Sequence, residues 1–105
     1  MTREPKAVKR LRRKLTIENL WIYIIGVLKN EPTYAYNIRV KIREKYGFKP
    51  ATMTLYTVLY RMKREGLITT IEADGTKLYT VTDKGLKAYN KAIQILENMI
   101  NMLKS

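Results

Sequence analysis

Apolar residues recur at helical spacing in four stretches of this chain and at alternating spacing in one short ribbon between them. Over Thr52 to Glu65, Leu55, Val58, Leu59 and Met62 follow i, i+3, i+4, i+7 spacing, which predicts a helix with one buried stripe. A second face of that helix carries Thr54, Thr57, Arg61 and Arg64, and Gly66 ends it. Two runs rich in β-branched residues follow, 67–73 and 76–81, on either side of Asp74-Gly75. That dipeptide is a strong short-range signal for a hairpin with a two-residue turn.

Upstream, Thr16 is placed to cap a helix over Ile17–Lys29, with Glu18 in its favourable first turn. Its centre, Leu20 to Leu28, is apolar almost all round, which implies burial on more than one side. In a small chain this points to a second subunit over part of it, so Leu20 and Trp21 are expected at a dimer interface. Residues 30–33 break the pattern, and Thr33 is expected to cap a helix over Tyr34–Tyr46. Ala35, Ile38 and Ile42 form its buried stripe, and Gly47 suits a left-handed stop.

After the hairpin, Thr82 is the natural cap of a last helix, Asp83 to Leu103. Leu86, Tyr89, Ile93, Leu96, Ile100 and Leu103 alternate spacings of three and four. Ala88, Ala92, Ile95, Met99 and Met102 form a second stripe beside the first. Two stripes are explained if one packs inward and the other meets a partner helix; a single wide core-facing band is the alternative. The expected dimer interface is therefore Leu20, Trp21, Tyr89, Ile93, Leu96, Ile100 and Leu103.

Composition narrows the function. A chain of 105 residues with 46% hydrophobic content has room for one folded domain. It carries 21 Lys or Arg against 9 Asp or Glu, a net charge of +12, which points to a polyanionic partner. Nucleic acid ranks ahead of an anionic membrane surface. The thermophile explanation of high charge normally brings matching acids, which are missing here.

The chain has no Cys and no His, which excludes zinc fingers, thiol nucleophiles, imidazole bases and disulfides. No acidic pair has metal or general acid–base spacing, and the five glycines are isolated, so no phosphate loop exists. Neither an enzyme nor a metal or cofactor is expected. The apolar run Leu20–Leu28 has no small-residue cleavage site behind it and is too short for a bilayer span, which takes about 20 residues. A cytoplasmic protein without membrane contact is the expectation.

Charge is also unevenly placed. Residues 1–15 hold seven basic residues and one acid, net +6. With Pro5, they read as a flexible arm that can become helical against phosphates, or else a solvated tail. Residues 34–64 hold eight basic residues and one acid, net +7, whereas the stretch from Leu86 onward holds three and one, net +2. This distribution fits a DNA-facing side built from the second and third helices and the arm. Near the start of the third helix, Thr52, Thr54, Tyr56 and Thr57 are placed to reach base edges. Arg61, Lys63 and Arg64 lie further along, where they would grip phosphates. Lys41 on the second helix, Lys77 past the hairpin tip, and Arg10, Arg12 and Arg13 in the arm complete the cationic set. Tyr60 is assigned to packing.

Three segments resemble the PadR family of winged-helix transcriptional regulators: Glu31–Ile38, Thr54–Ile68 and Lys77–Gly85. They are similar to its Pro-x-x-Gly-Tyr-x-Ile, Thr-Leu-Tyr-x-x-Leu-x-x-Leu-x-x-x-Gly-Leu-Ile and Tyr-x-x-Thr-x-x-Gly patterns. The resemblance spans Leu15 to the C-terminus; Ala35 stands where the family has Gly, and the C-terminal part is one short helix. It implies a homodimer held by that helix on a pseudo-palindromic operator, with repression as the usual outcome. It further implies that Tyr36 and Tyr56 face DNA.

The expected fold is mostly α with a small β-hairpin, a winged helix-turn-helix with a C-terminal dimerisation helix. Its parts are the arm (1–15), the DNA-binding domain (16–82) and the dimerisation helix (83–105). Two other functions are compatible with the residues: a non-specific architectural DNA- or RNA-binding protein, and a sensor whose Trp21, Tyr23 and Tyr89 line a dimer pocket for a small apolar effector.

Overall fold

The structure is a computed structural model that describes residues 3–105. In chain order its elements are α1 (Lys6–Leu15), a 3-10 turn (Ile17–Asn19), α2 (Leu20–Leu28), α3 (Ala35–Tyr46), α4 (Thr52–Arg64), β1 (Ile68–Ala73), β2 (Thr76–Val81) and α5 (Asp83–Lys104).

α2 is the centre of the fold, in contact with α3, α4, α5 and β2. Its buried residues Leu20, Ile24, Ile25, Val27 and Leu28 meet Ile38 and Ile42 of α3 and Leu55, Leu59 and Met62 of α4 in one core. This corrects the reading of α2's apolar girth: most of it is covered by the protomer itself. Leu20, expected at a dimer interface, is 1% exposed inside that core. Trp21 and Tyr23 remain half-buried, so part of the helix is still open.

β1 and β2 pair antiparallel from Ile68↔Val81 to Ala73↔Thr76. Asp74 and Gly75 at the tip have φ of 52° and 75°, the two positive values that a type I′ turn needs. A two-stranded ribbon alone is marginal in water, and β2 gains a second partner that the sequence pattern did not reveal. Thr33 N–H donates to Tyr79 O (3.0 Å) and Tyr79 N–H to Thr33 O (2.9 Å). Thr33 is therefore not the cap of α3. It is a buried one-residue strand, its hydroxyl donating to Glu31 O, and α3 begins after Tyr34 without a side-chain cap.

Residues 1 and 2 of the expected N-terminal arm lie outside the described residues, and Lys6–Leu15, expected to become helical against phosphates, is a helix in the free chain. Ala, Leu, Lys and Arg are good helix formers, and Pro5 fits the helix start. At the other end, carbonyls that a helix terminus leaves unpaired accept from nearby side chains. Thr16 Oγ1 donates to Arg12 O (2.7 Å), Asn19 Nδ2 to Lys14 O (2.6 Å) and Tyr23 Oη to Leu15 O. Thr16 thus ends α1 instead of capping the next helix, and the chain passes through the 3-10 turn before α2 starts.

α5 begins as its sequence implies: Thr82 Oγ1 accepts the Gly85 N–H at 3.1 Å. Only Gly85 and Ala92 of its 22 residues are buried. The radius of gyration is 15.3 Å, against about 13 Å for a compact chain of this length. α1 has no buried residue, and the outer part of α5 is exposed.

Candidate nucleic-acid interface

α3, the turn 47–51 and α4 form a helix-turn-helix, with the hairpin as the adjoining wing. Gly47, at φ 80°, stops α3, and its N–H donates to Arg43 O. Arg39 Nε donates to Pro50 O at 2.7 Å, tying α3 to the residue that turns the chain into α4.

Burial of Leu55, Leu59 and Met62 fixes which side of α4 faces outward. At about 100° per residue, the opposite ridge is Met53, Thr57, Tyr60 and Arg64. Met53 is 81% exposed and Tyr60 64%. Thr57 Oγ1 donates to Met53 O at 2.9 Å, leaving its lone pairs to accept from a base. The Arg64 guanidinium lies 5.8 Å from the Tyr60 ring centroid, within cation–π range.

The expected stripe of Thr54, Thr57, Arg61 and Arg64 therefore shares only Thr57 and Arg64 with the outermost ridge. Thr54 is half-buried. Arg61 is exposed but borders a cleft with Ile17, Glu18 and Trp21, on the flank toward the α1–α2 junction. Thr52 and Tyr56 are exposed, as base or phosphate contacts require. Lys63 Nζ donates to Thr70 Oγ1 at 3.0 Å and braces α4 against the wing. Tyr60, assigned to packing, stands in the open. Residue type alone reads both it and Met53 as core; their angle from Leu55, Leu59 and Met62 puts them outside.

On α3, Tyr36 is 71% exposed and borders a groove with Arg39, Arg43 and Lys49. These three cations were not singled out by the sequence pattern. Lys41 was, but it sits about 200° around the helix from Arg39 and Arg43. Its Nζ bonds Glu31 Oε1 at 2.7 Å, and that hydrogen bond holds the Glu31 carboxyl below the usual carboxylate range. Lys41 thus stands on a different side of α3 from that groove.

The wing is weakly charged for a phosphate contact. Lys77 is the one cation of residues 68–81, against Glu72 and Asp74. It faces Glu72 in register, and its Nζ lies 5.6 Å from the Tyr79 ring centroid, beside a cleft shared with Tyr56, Tyr60, Lys63 and Arg64. On α1, Arg12 pairs with Glu4 and Arg13 Nε lies 3.3 Å from Glu18 Oε2. A hydrogen bond from Lys14 chiefly lowers the Glu18 carboxyl below its ordinary value. Arg10, Arg61 and Arg64 have no ion-pair partner among the described residues.

A helix about 10–12 Å across fits a major groove about 12 Å wide. The helix-turn-helix, the adjoining wing and an outward ridge in a region of net charge +7 define a winged-helix DNA-binding protein. The model of the transcriptional regulator PadR-like family matches residues 24–91, and the chain belongs to that family of transcriptional regulators. None of the curated proteins compared with it matches.

Solved structures share the fold. A PadR family transcriptional regulator from Eggerthella lenta superposes with a TM-score of 0.78 at 22% identity, covering 92% of this chain and 88% of that one. A transcriptional regulator from Clostridium thermocellum gives 0.76 at 21% identity, with 97% and 96% covered. A PadR-like transcriptional regulator from Bacillus cereus gives 0.64 at 26% identity, with 80% and 89% covered. Among the described residues, no helix is long and apolar enough to cross a membrane.

Proposed function

We propose that this chain is a homodimeric, sequence-specific repressor that places α4 of each protomer in successive major grooves of a pseudo-palindromic operator. The observation that carries the reading is the outward ridge of α4, where hydroxyl, aromatic and guanidinium groups stand bare on the side opposite the core. Tyr36, Arg39, Arg43 and Lys49 extend that surface as phosphate contacts, which position the protein without reading sequence. Repression then needs nothing beyond occupancy of a site that polymerase must use.

The dimer reading rests on α5 and α1. Ile95, Met99, Ile100, Met102 and Leu103 are each about half exposed or more, and Val8, Leu11 and Leu15 of α1 are bare at helical spacing. Exposed apolar residues grouped in this way support a protein interface. Half-sites about 34–36 Å apart, one DNA turn, are expected if each protomer enters one groove.

A footprint or gel-shift assay in about 0.15 M salt tests the proposal, with one pseudo-palindrome protected well before random duplex. Equal binding to operator and random duplex would instead favour the architectural reading. Thr57→Ala is expected to change base preference at one position per half-site with little change in non-specific affinity.

The proposal also includes a small apolar effector. Trp21, Tyr23, Tyr46 and Tyr89 border an open cleft of about 540 Å³ whose other walls are mainly aliphatic residues of α2 and α5. Burial raises the Tyr23 and Tyr46 hydroxyls above the usual tyrosine range, so both stay protonated donors near neutral pH. Quenching of Trp21 fluorescence by planar apolar compounds tests this site, and no quenching across a broad panel would remove it.

A further inference from the structure

Met53 is the one member of the α4 ridge with no polar task on DNA. Its side chain is 81% exposed, more than any other large apolar group on α4. It sits in the first turn, about 160° around the helix from the buried Leu55. Its neighbours in that turn, Thr52 and Thr54, are short and hydroxylated, and the turn has no acidic residue to repel a phosphate.

Helix stability alone does not call for methionine at a bare surface position, where Ala, Lys or Gln serves as well. Solubility argues against it. The chemistry of the major groove supplies a reason. Every base-pair edge there offers hydrogen-bond donors and acceptors, and the only apolar group it offers is the 5-methyl of thymine. Methionine's unbranched, polarisable side chain adapts to such a contact without strict geometry.

We propose that Met53 is a specificity-determining residue that reads the 5-methyl group of one thymine in each operator half-site. This rests on α4 being the helix that enters the groove. Thr57, one turn later on the same ridge, accepts from an exposed base amino group at an adjacent pair. The two side chains together select an apolar group beside a hydrogen-bond donor.

The experiment uses the full chain and an operator recovered from random duplexes. Each thymine is replaced in turn by deoxyuridine, which keeps base pairing and every polar group but lacks the methyl. Burial of one methyl-sized group corresponds to about fourfold in affinity per half-site, or about fifteenfold with both half-sites changed in a dimer-bound duplex. The wild-type protein is expected to show that loss at one thymine per half-site.

Met53→Ala is expected to bind the thymine and uracil duplexes equally at that position, and Met53→Leu to keep part of the discrimination. Met53 is exposed, so Met53→Ala should retain the wild-type circular dichroism spectrum and melting temperature. A uracil penalty that is the same in wild type and Met53→Ala at every position overturns the assignment. Failure of the wild type to prefer any recovered duplex over random DNA is a different result: it removes the sequence-specific function itself, and Met53 with it.

Discussion

α4 and α5 are built alike and end up with opposite surfaces. Each helix gives one stripe to the core, but α4 leaves its opposite side bare whereas α5 runs on past the core with its apolar side uncovered. On α4 the bare side is Thr57, Tyr60 and Arg64 behind a single methionine; on the outer part of α5 it is Ile95, Met99, Ile100, Met102 and Leu103. An apolar side chain left in water forgoes about 1.5–3 kcal/mol relative to full burial. α5 therefore suits an apolar partner such as the proposed second protomer, and α4, with bare cations and hydroxyls, suits a hydrated polyanion. The chemistry that a bare face leaves unsatisfied identifies the partner it is built to meet.

The largest effect expected is on α5. Ile100→Asp or Leu96→Asp should separate the proposed dimer into poorly soluble protomers. Operator affinity should fall by about a hundredfold or more, because two linked half-site contacts become independent events. Sedimentation reads the first outcome and gel shift the second. A wild-type protein that itself sediments at the 12.4 kDa of one chain would remove the dimer and half of the contrast. A smaller loss, about tenfold, is expected when Lys9 and Arg10 of α1 are changed to Gln. Binding to all duplexes should weaken together, and the salt slope should flatten by about 0.9 for each phosphate that the variant no longer neutralises. A change in base preference would show that α1 reads sequence.

The contrast between the two helices was largely legible in the residue pattern, since periodicity is carried by neighbours along the chain. The hairpin, the α4 core stripe, the Thr82 cap and the Gly47 stop came from such local rules. What was misread depended on groups distant in sequence. Thr33 looks like a helix cap until Tyr79, 46 positions later, takes its backbone. Leu20 looks like interface until α3, α4 and α5 close around α2. The candidate site was half legible: the polar residues of α4 stand out by type, whereas Met53 and Tyr60 are placed on the outer ridge only by their angle from Leu55, Leu59 and Met62.

Within the DNA-facing side, Arg64→Ala should cost about threefold to tenfold on every duplex and reduce the salt slope by about one. It removes a phosphate grip and the cation over Tyr60 while leaving the core untouched. Titration of affinity against salt concentration reads this, and a loss confined to the operator would make Arg64 a base reader instead.

The smallest effect is expected at the wing. Lys77 is outnumbered by Glu72 and Asp74, faces Glu72 across the ribbon, and already lies over the Tyr79 ring. Exposed charges arranged in this way contribute roughly 0–1 kcal/mol, so Lys77→Ala should weaken operator binding by less than about fivefold. Glu72→Gln should strengthen it slightly, because an acid near the phosphates opposes the approach that Lys77 favours. Both variants leave Ile68, Leu78 and Tyr79 in place, so melting temperature should not move. If Lys77→Ala instead costs as much as Arg64→Ala, the wing grips phosphate as firmly as the α4 ridge. The charge asymmetry between them would then be a property of the free protein that DNA binding overrides.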